Sequence, residues 1–185
     1  GSLTELQALT GAKALAHSDE VILTNEGKYA LSPHSEGIGG SFLGLQLAAD
    51  FKVQPVDLLV TDGEVLPYLG GLRVIHTPGH THGSICLLLE KSRVLFVGDT
   101  IINNEDRLCR PLPFGADRHE SEQSLRKLTR LDFDICCFGH GSPLCWAKEK
   151  VKELAMNYPS APLYWRVARS WRRLIRFGTR LWRRS

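Results

Sequence analysis

His80, Asp99 and His140 each follow directly on a glycine, and each closes a short apolar run: LRVI before TPGH, VLFV before GDT and ICCF before GHG. Two imidazoles and one carboxylate offer the nitrogen and oxygen donors that zinc takes, and iron or manganese suits the same set. A single histidine beside a glycine reads as an ordinary turn residue. Three donors repeating that setting read as ligands, because glycine lets the chain bend sharply enough for each side chain to reach a shared point. The stretch VIHTPGHTHGS holds two more histidines. His76, on the strand side, reads as a packed or supporting residue. His82 reads as a polar turn residue, with support of the site or contact with substrate as its alternative. Thr77, Pro78, Thr81 and Ser84 supply turn chemistry that fixes the loop.

For these residues to meet, the elements carrying them must end at one edge of a sheet. From Val56 onward, short apolar runs alternate with turn pairs at Asp62-Gly63 and Gly70-Gly71, which predicts consecutive strands. SICLLLE and VLFVGD form a hairpin, apolar almost throughout, as in a sheet covered on both faces. RHESEQSLRKLTRL predicts a helix, with His119 solvated at its polar start; FDICCF predicts a strand, and a last helix runs from Ala147 to Met156. Upstream, SLTELQALTG predicts a helix with Ser2 and Glu5 as a capping box and Gly11 as its end. AKALAH predicts a strand, SDEVIL a turn of helix capped by Ser18, and residues 25–50 a surface loop and one helix. The second half thus has the alternation of a layered α/β protein, in which side chains at strand ends converge.

The chain has 185 residues, 43% of them hydrophobic, enough for one sizeable core and one domain. No apolar run approaches the ~20 residues that span a bilayer, and the start carries no secretion-signal pattern, so a soluble, cytoplasmic protein is expected. The five cysteines are odd in number, without CxxC pairing, and read as reduced thiols. The net charge of +3 is uneven. Residues 165–185 hold eight arginines and no acid, while residues 1–164 hold fifteen basic and twenty acidic residues. NYPSAP marks the boundary, giving a domain over 1–157 and a basic amphipathic tail over 158–185. Val167, Trp171, Leu174, Ile175, Leu181 and Trp182 recur at helical spacing within that tail. Its arginines, from Arg166 to Arg184, suit either an anionic membrane surface or packing on the acidic body. The acidic body argues against a nucleic-acid binder.

TPGHTHGS, FVGDT and FGHG, in that order and with steps of 19 and 41 from one ligand position to the next, resemble the third, fourth and fifth motifs of the metallo-β-lactamase superfamily. The resemblance runs from Gly1 to about Met156. It implies a four-layered αββα sandwich with a zinc site of one or two ions at one edge, His80 on the first metal, Asp99 bridging and His140 on the second. It implies a hydrolase in which these residues are also catalytic, acting on a small-molecule ester, thioester, lactone or similar bond. The 41-residue step leaves no room for a large insert and is most similar to the single-domain relatives of hydroxyacylglutathione hydrolases. The superfamily's second motif, HxHxDH, does not occur in this sequence. Gly1-Ser2 matches the residues that close that motif in relatives, and is also a common cloning remnant. The chain is therefore expected to lack the N-terminal strands of the fold and half of the metal ligands, and to be weakly active or inactive. The alternative is a catalytically dead domain that binds a membrane or partner surface through its arginine tail.

Overall fold

The computed structural model describes residues 3–23, 29–31, 55–109 and 118–157. The arginine tail, its boundary and the helix expected within 25–50 lie outside the described residues. The centre of the fold is a six-stranded sheet built from β5 (Val65–Leu66), β6 (Leu72–His76), β7 (Ile85–Leu89), β8 (Val94–Gly98), β11 (Ile135–Phe138) and β12 (Leu144–Cys145). Across the sheet their order is β12-β11-β8-β7-β6-β5. β6, β7 and β8 are antiparallel neighbours, and β11 then runs parallel to β8. Two reversals restore the direction, so β6, β8 and β11 all point the same way. Their C-terminal ends, and the three ligand candidates that follow, therefore leave the sheet at one edge.

Apolar side chains cover both faces, as the near-continuous apolar strands demand. On one face Ile75, Cys86, Leu88, Leu95 and Val97 pack with Leu125 and Leu128 of helix α2 (Arg118–Leu128), with Phe133, and with Val151 of helix α3 (Ala147–Met156). On the other face Val74, Val60 and Leu66 form a second cluster with Leu15, Ile85 and Leu87. This cluster joins the large sheet to a parallel pair, β1 (Leu15–His17) with β4 (Leu58–Val60). Helix α1 (Leu3–Thr10) is tied to that pair through Asp57, which accepts from Gln7 Nε2 at 2.9 Å and from the Ala14 amide at 2.7 Å. The result is the mixed, layered α/β architecture expected from the sequence.

One local expectation is corrected. SDEVIL is not a helical turn throughout. Ser18–Glu20 form one 3-10 turn, capped by the His17 ring accepting from the Asp19 amide, and Val21–Leu23 then continue as strand β2, paired with β3 (Tyr29–Leu31). The run is too short and too β-branched to continue as helix. After Asp99, β9 (Ile102–Asn104) and β10 (Arg107–Cys109) form a tight hairpin. All five cysteines are free thiols. Among the described residues no helix is long and apolar enough to cross a membrane.

Candidate metal centre

The His80 loop is held by bonds that its threonines, serine and proline supply. Thr77 is fully buried where β6 ends, its amide donating to the Ser84 carbonyl at 2.8 Å and its hydroxyl lying 3.1 Å from that of Thr100. Ser124 of α2 donates to the Pro78 carbonyl at 2.7 Å. The Thr81 amide donates to Ser84 Oγ at 3.0 Å, closing the turn. Each bond satisfies a polar group that the bend would otherwise leave unpaired.

Asp99 follows β8, and the loop after β11 crosses beside it. The Gly139 amide donates to the Gly98 carbonyl at 2.8 Å. A Cβ at position 139 would stand 2.3 Å from Asp99 Oδ1, so only glycine leaves the carboxylate in this position. The His140 carbonyl accepts from the Asn103 amide at 3.1 Å, and Asn103 Nδ2 donates to the Ser142 carbonyl at 2.7 Å. The β9–β10 hairpin thereby fixes the His140 loop.

These supports bring together the three residues singled out by the sequence. His80 Nε2 lies 3.6 Å from Asp99 Oδ2, and His140 Nε2 lies 3.6 Å from Asp99 Oδ1. The carboxylate thus turns one oxygen to each imidazole. The three do not form a single knot in which every donor lies within 4.8 Å of every other. His140 is the least enclosed, its side chain 71% exposed against 29% for His80.

The donor set fits a cation. Two donors each about 2.0–2.2 Å from one tetrahedral zinc lie roughly 3.4 Å apart, near both observed spacings and beyond direct hydrogen bonding. No hydrogen bond among the described residues occupies either oxygen of Asp99. One support is incomplete: among the described residues the buried Nδ1 of His80 has no hydrogen-bond partner, whereas a metal-bound imidazole ordinarily donates its second N–H.

A second group of donors, His17, Asp19 and His76, also lies within 4.8 Å. The two rings stack face to face, centroids 3.8 Å apart and 8° from parallel. Both nitrogens facing Asp19 are already engaged: His17 Nδ1 accepts from the Asp19 amide at 3.2 Å, and His76 Nε2 is 2.8 Å from the His82 carbonyl. A metal there would have to break both bonds, so the stack is better suited to packing than to chelation. Burial, followed by the neighbouring His76, lowers the His17 pKa and favours its neutral ring. Asp62 braces the backbone behind His76, accepting from its amide at 2.8 Å and from Lys127 Nζ at 2.7 Å. Burial alone would raise the Asp62 pKa, but these two bonds bring it below the usual value.

His82 and His119 sit apart from the Asp99 centre, His82 Nδ1 at 3.5 Å from Glu120 Oε2 and His119 Nε2 at 2.8 Å from Gln123 Nε2. A cleft of about 300 Å³ opens beside the centre, lined by His80, Asp99, Thr81, His17 and Glu20 among others. Glu20, Asn103 and His17 are the site neighbours that sequence reasoning missed. Asn103 follows Asp99 by only four residues, but its bond to the His140 loop exists only once the hairpin folds back.

Residues 1–140 match the sequence profile of the Metallo-beta-lactamase superfamily. An atrochrysone carboxyl ACP thioesterase of Aspergillus fumigatus is 29% identical over 122 residues, 65% of this chain and 37% of that protein. A hydroxyacylglutathione hydrolase of Francisella tularensis subsp. novicida is 40% identical over 81 residues, 43% of this chain and 31% of its own length. The chain thus spans about a third of the length of these curated relatives. A metallo-beta-lactamase family protein from Thermus thermophilus superposes with a TM-score of 0.61 at 21% identity, covering 85% of this chain and 56% of that one. With its profile match over most of the chain and its shared fold, this chain belongs to the metallo-β-lactamase superfamily.

Proposed function

We propose that the chain is part of a zinc-dependent hydrolase, with His80, Asp99 and His140 as metal ligands and catalytic residues and a small-molecule thioester or related ester as substrate. The observation that carries this reading is the Asp99 carboxylate set between two imidazole nitrogens, one oxygen 3.6 Å from each. That arrangement suits a carboxylate bridging two ion positions, with His80 serving one and His140 the other. The thioester preference rests on the relatives, one named as a thioesterase and one as a hydroxyacylglutathione hydrolase.

Bound zinc would supply Lewis acidity and lower the pKa of water to about 7. The chain's own residues set the geometry. Asp99 supplies negative charge between the imidazoles, and its exposed edge faces the cleft where substrate would enter. Thr77, Thr100 and Ser124 keep the His80 loop from relaxing, and Asn103 does the same for His140. Three protein donors are fewer than the four of a closed zinc site, so binding and turnover by these residues alone are expected to be weak. Iron or manganese would fit the same donors less selectively.

Zinc content by elemental analysis, together with thiol release from acylglutathione thioesters, tests the reading on this chain and on Asp99→Ala. Zinc retained by the native chain and lost from the variant supports it. Equal zinc in both refutes it, as does none in either when zinc is supplied in enough excess to register the weak binding expected of three donors.

A second reading is favoured by the eight arginines within residues 166–184 and the absence of acid there. In that reading residues 1–157 are one domain and the tail over 158–185 docks it on an anionic membrane surface from the cytoplasmic side. The two readings are compatible unless the metal centre proves empty, in which case docking alone remains.

A further inference from the structure

Glu20 stands outside every motif, sixty residues before the His80 loop, yet its carboxylate closes that loop. Its Oε2 accepts from Thr81 Oγ1 at 2.5 Å and from the Gly83 amide at 3.0 Å. The backbone approach is equally close, since a Cβ at position 83 would lie 2.3 Å from Glu20 Cβ and 2.5 Å from its amide nitrogen. Glu20 ends the 3-10 turn between β1 and β2, outside the large sheet. The His80 loop is therefore held on two sides. Ser124 of α2 fixes Pro78 before the histidine, and Glu20 fixes Thr81 and Gly83 after it.

We infer that Glu20 is a positioning residue for His80, locking the ligand's loop to the turn between β1 and β2 through Thr81 and the Gly83 amide. The inference rests on the reading of His80 as a metal ligand. A carboxylate accepting from a hydroxyl and an amide makes charge-assisted bonds, stronger than their neutral counterparts. His80 also has little else to fix its ring, because its Nδ1 has no hydrogen-bond partner among the described residues. Control of the ring thus falls to its backbone; on the C-terminal side the Thr81–Ser84 bonds close the turn within the loop, and Glu20 ties that turn to another element.

The test compares zinc affinity, by chelator competition, and amide exchange at Gly83 in the native chain, Glu20→Ala and Glu20→Gln. Loss of a support behind a ligand costs about 10–100-fold in metal affinity. Glu20→Ala is expected to show that loss together with faster Gly83 exchange. Glu20→Gln, whose amide oxygen can accept both bonds, is expected to recover most of each. Native affinity and native Gly83 protection in Glu20→Ala would overturn the inference, as would equal losses in the alanine and glutamine variants. Should Glu20→Ala not fold, Thr81→Val removes the hydroxyl partner, and native affinity there would overturn it. If the native chain binds no zinc, the ligand reading has failed; Gly83 exchange alone then decides whether the clamp exists.

Discussion

Gly139→Ala separates the integrity of the site from the stability of the fold. The added Cβ would fall 2.3 Å from Asp99 Oδ1 and 3.2 Å from the Gly98 carbonyl carbon and oxygen. Carbon and oxygen in ordinary contact sit no closer than roughly 3.2 Å, so Oδ1 must retreat by about 1 Å while the Gly98 backbone need barely move. The retreating atom is the end of a side chain that can rotate, so the global cost is expected to be near 1 kcal/mol, the low end for overpacking. The oxygen displaced is the one facing His140 Nε2 at 3.6 Å. A misplacement of that size at a metal site is expected to weaken zinc binding by about 10–100-fold, the range seen when a ligand loses its support. Zinc competition titration and urea unfolding of both proteins measure the two effects side by side. An unchanged zinc affinity in a folded Gly139→Ala protein would mean that Asp99 Oδ1 is not held against Gly139, and the bridging arrangement would fall with it. A large loss of stability would instead show that the Gly98 backbone, not the carboxylate, absorbs the clash.

Two further outcomes follow from other parts of the molecule. His17 has a pKa below its ordinary 6.5, chiefly through burial, so the unfolded chain takes up this proton more readily than the folded one. Its contribution is fully present above pH 6.5 and is lost as the pH falls from 6.5 through the lowered folded value, because protonation then favours unfolding. Asp62, Asp132 and Asp134, whose pKa values are lowered, act only in more acidic solution, below their ordinary 3.8. Urea midpoints should therefore decline between about pH 7 and pH 5, and His17→Asn should flatten that decline; an unchanged slope would refute the assignment to this ring. For the tail, removal of residues 158–185 should abolish co-sedimentation with phosphatidylserine-containing vesicles and leave neutral vesicles unbound before and after. Equal sedimentation of the full and shortened chains would eliminate docking by the arginines.

The sequence by itself determined the candidate donors and the strands that bear them. Apolar runs ending in TPGH, GDT and GHG place His80, Asp99 and His140 at strand ends through local patterning alone, and helix α3 falls at the residues its periodicity predicts. The same patterning misjudged SDEVIL, where Ser18 as a cap suggested helix but Val21–Leu23 pair with Tyr29–Leu31. That choice depends on a partner strand, which no short window contains. The tertiary structure alone decided that the Asp99 carboxylate turns one oxygen to each imidazole, since this requires three loops to meet that lie far apart along the chain. It also decided the roles of Glu20 and Asn103, ordinary polar residues until folding brings one against Gly83 and the other against the His140 loop. His76 and His80 are chemically identical and four residues apart. The glycine beside His80 already set it apart in the sequence, but only the tertiary structure supplies the partners, His17 stacked on one ring and Asp99 facing the other.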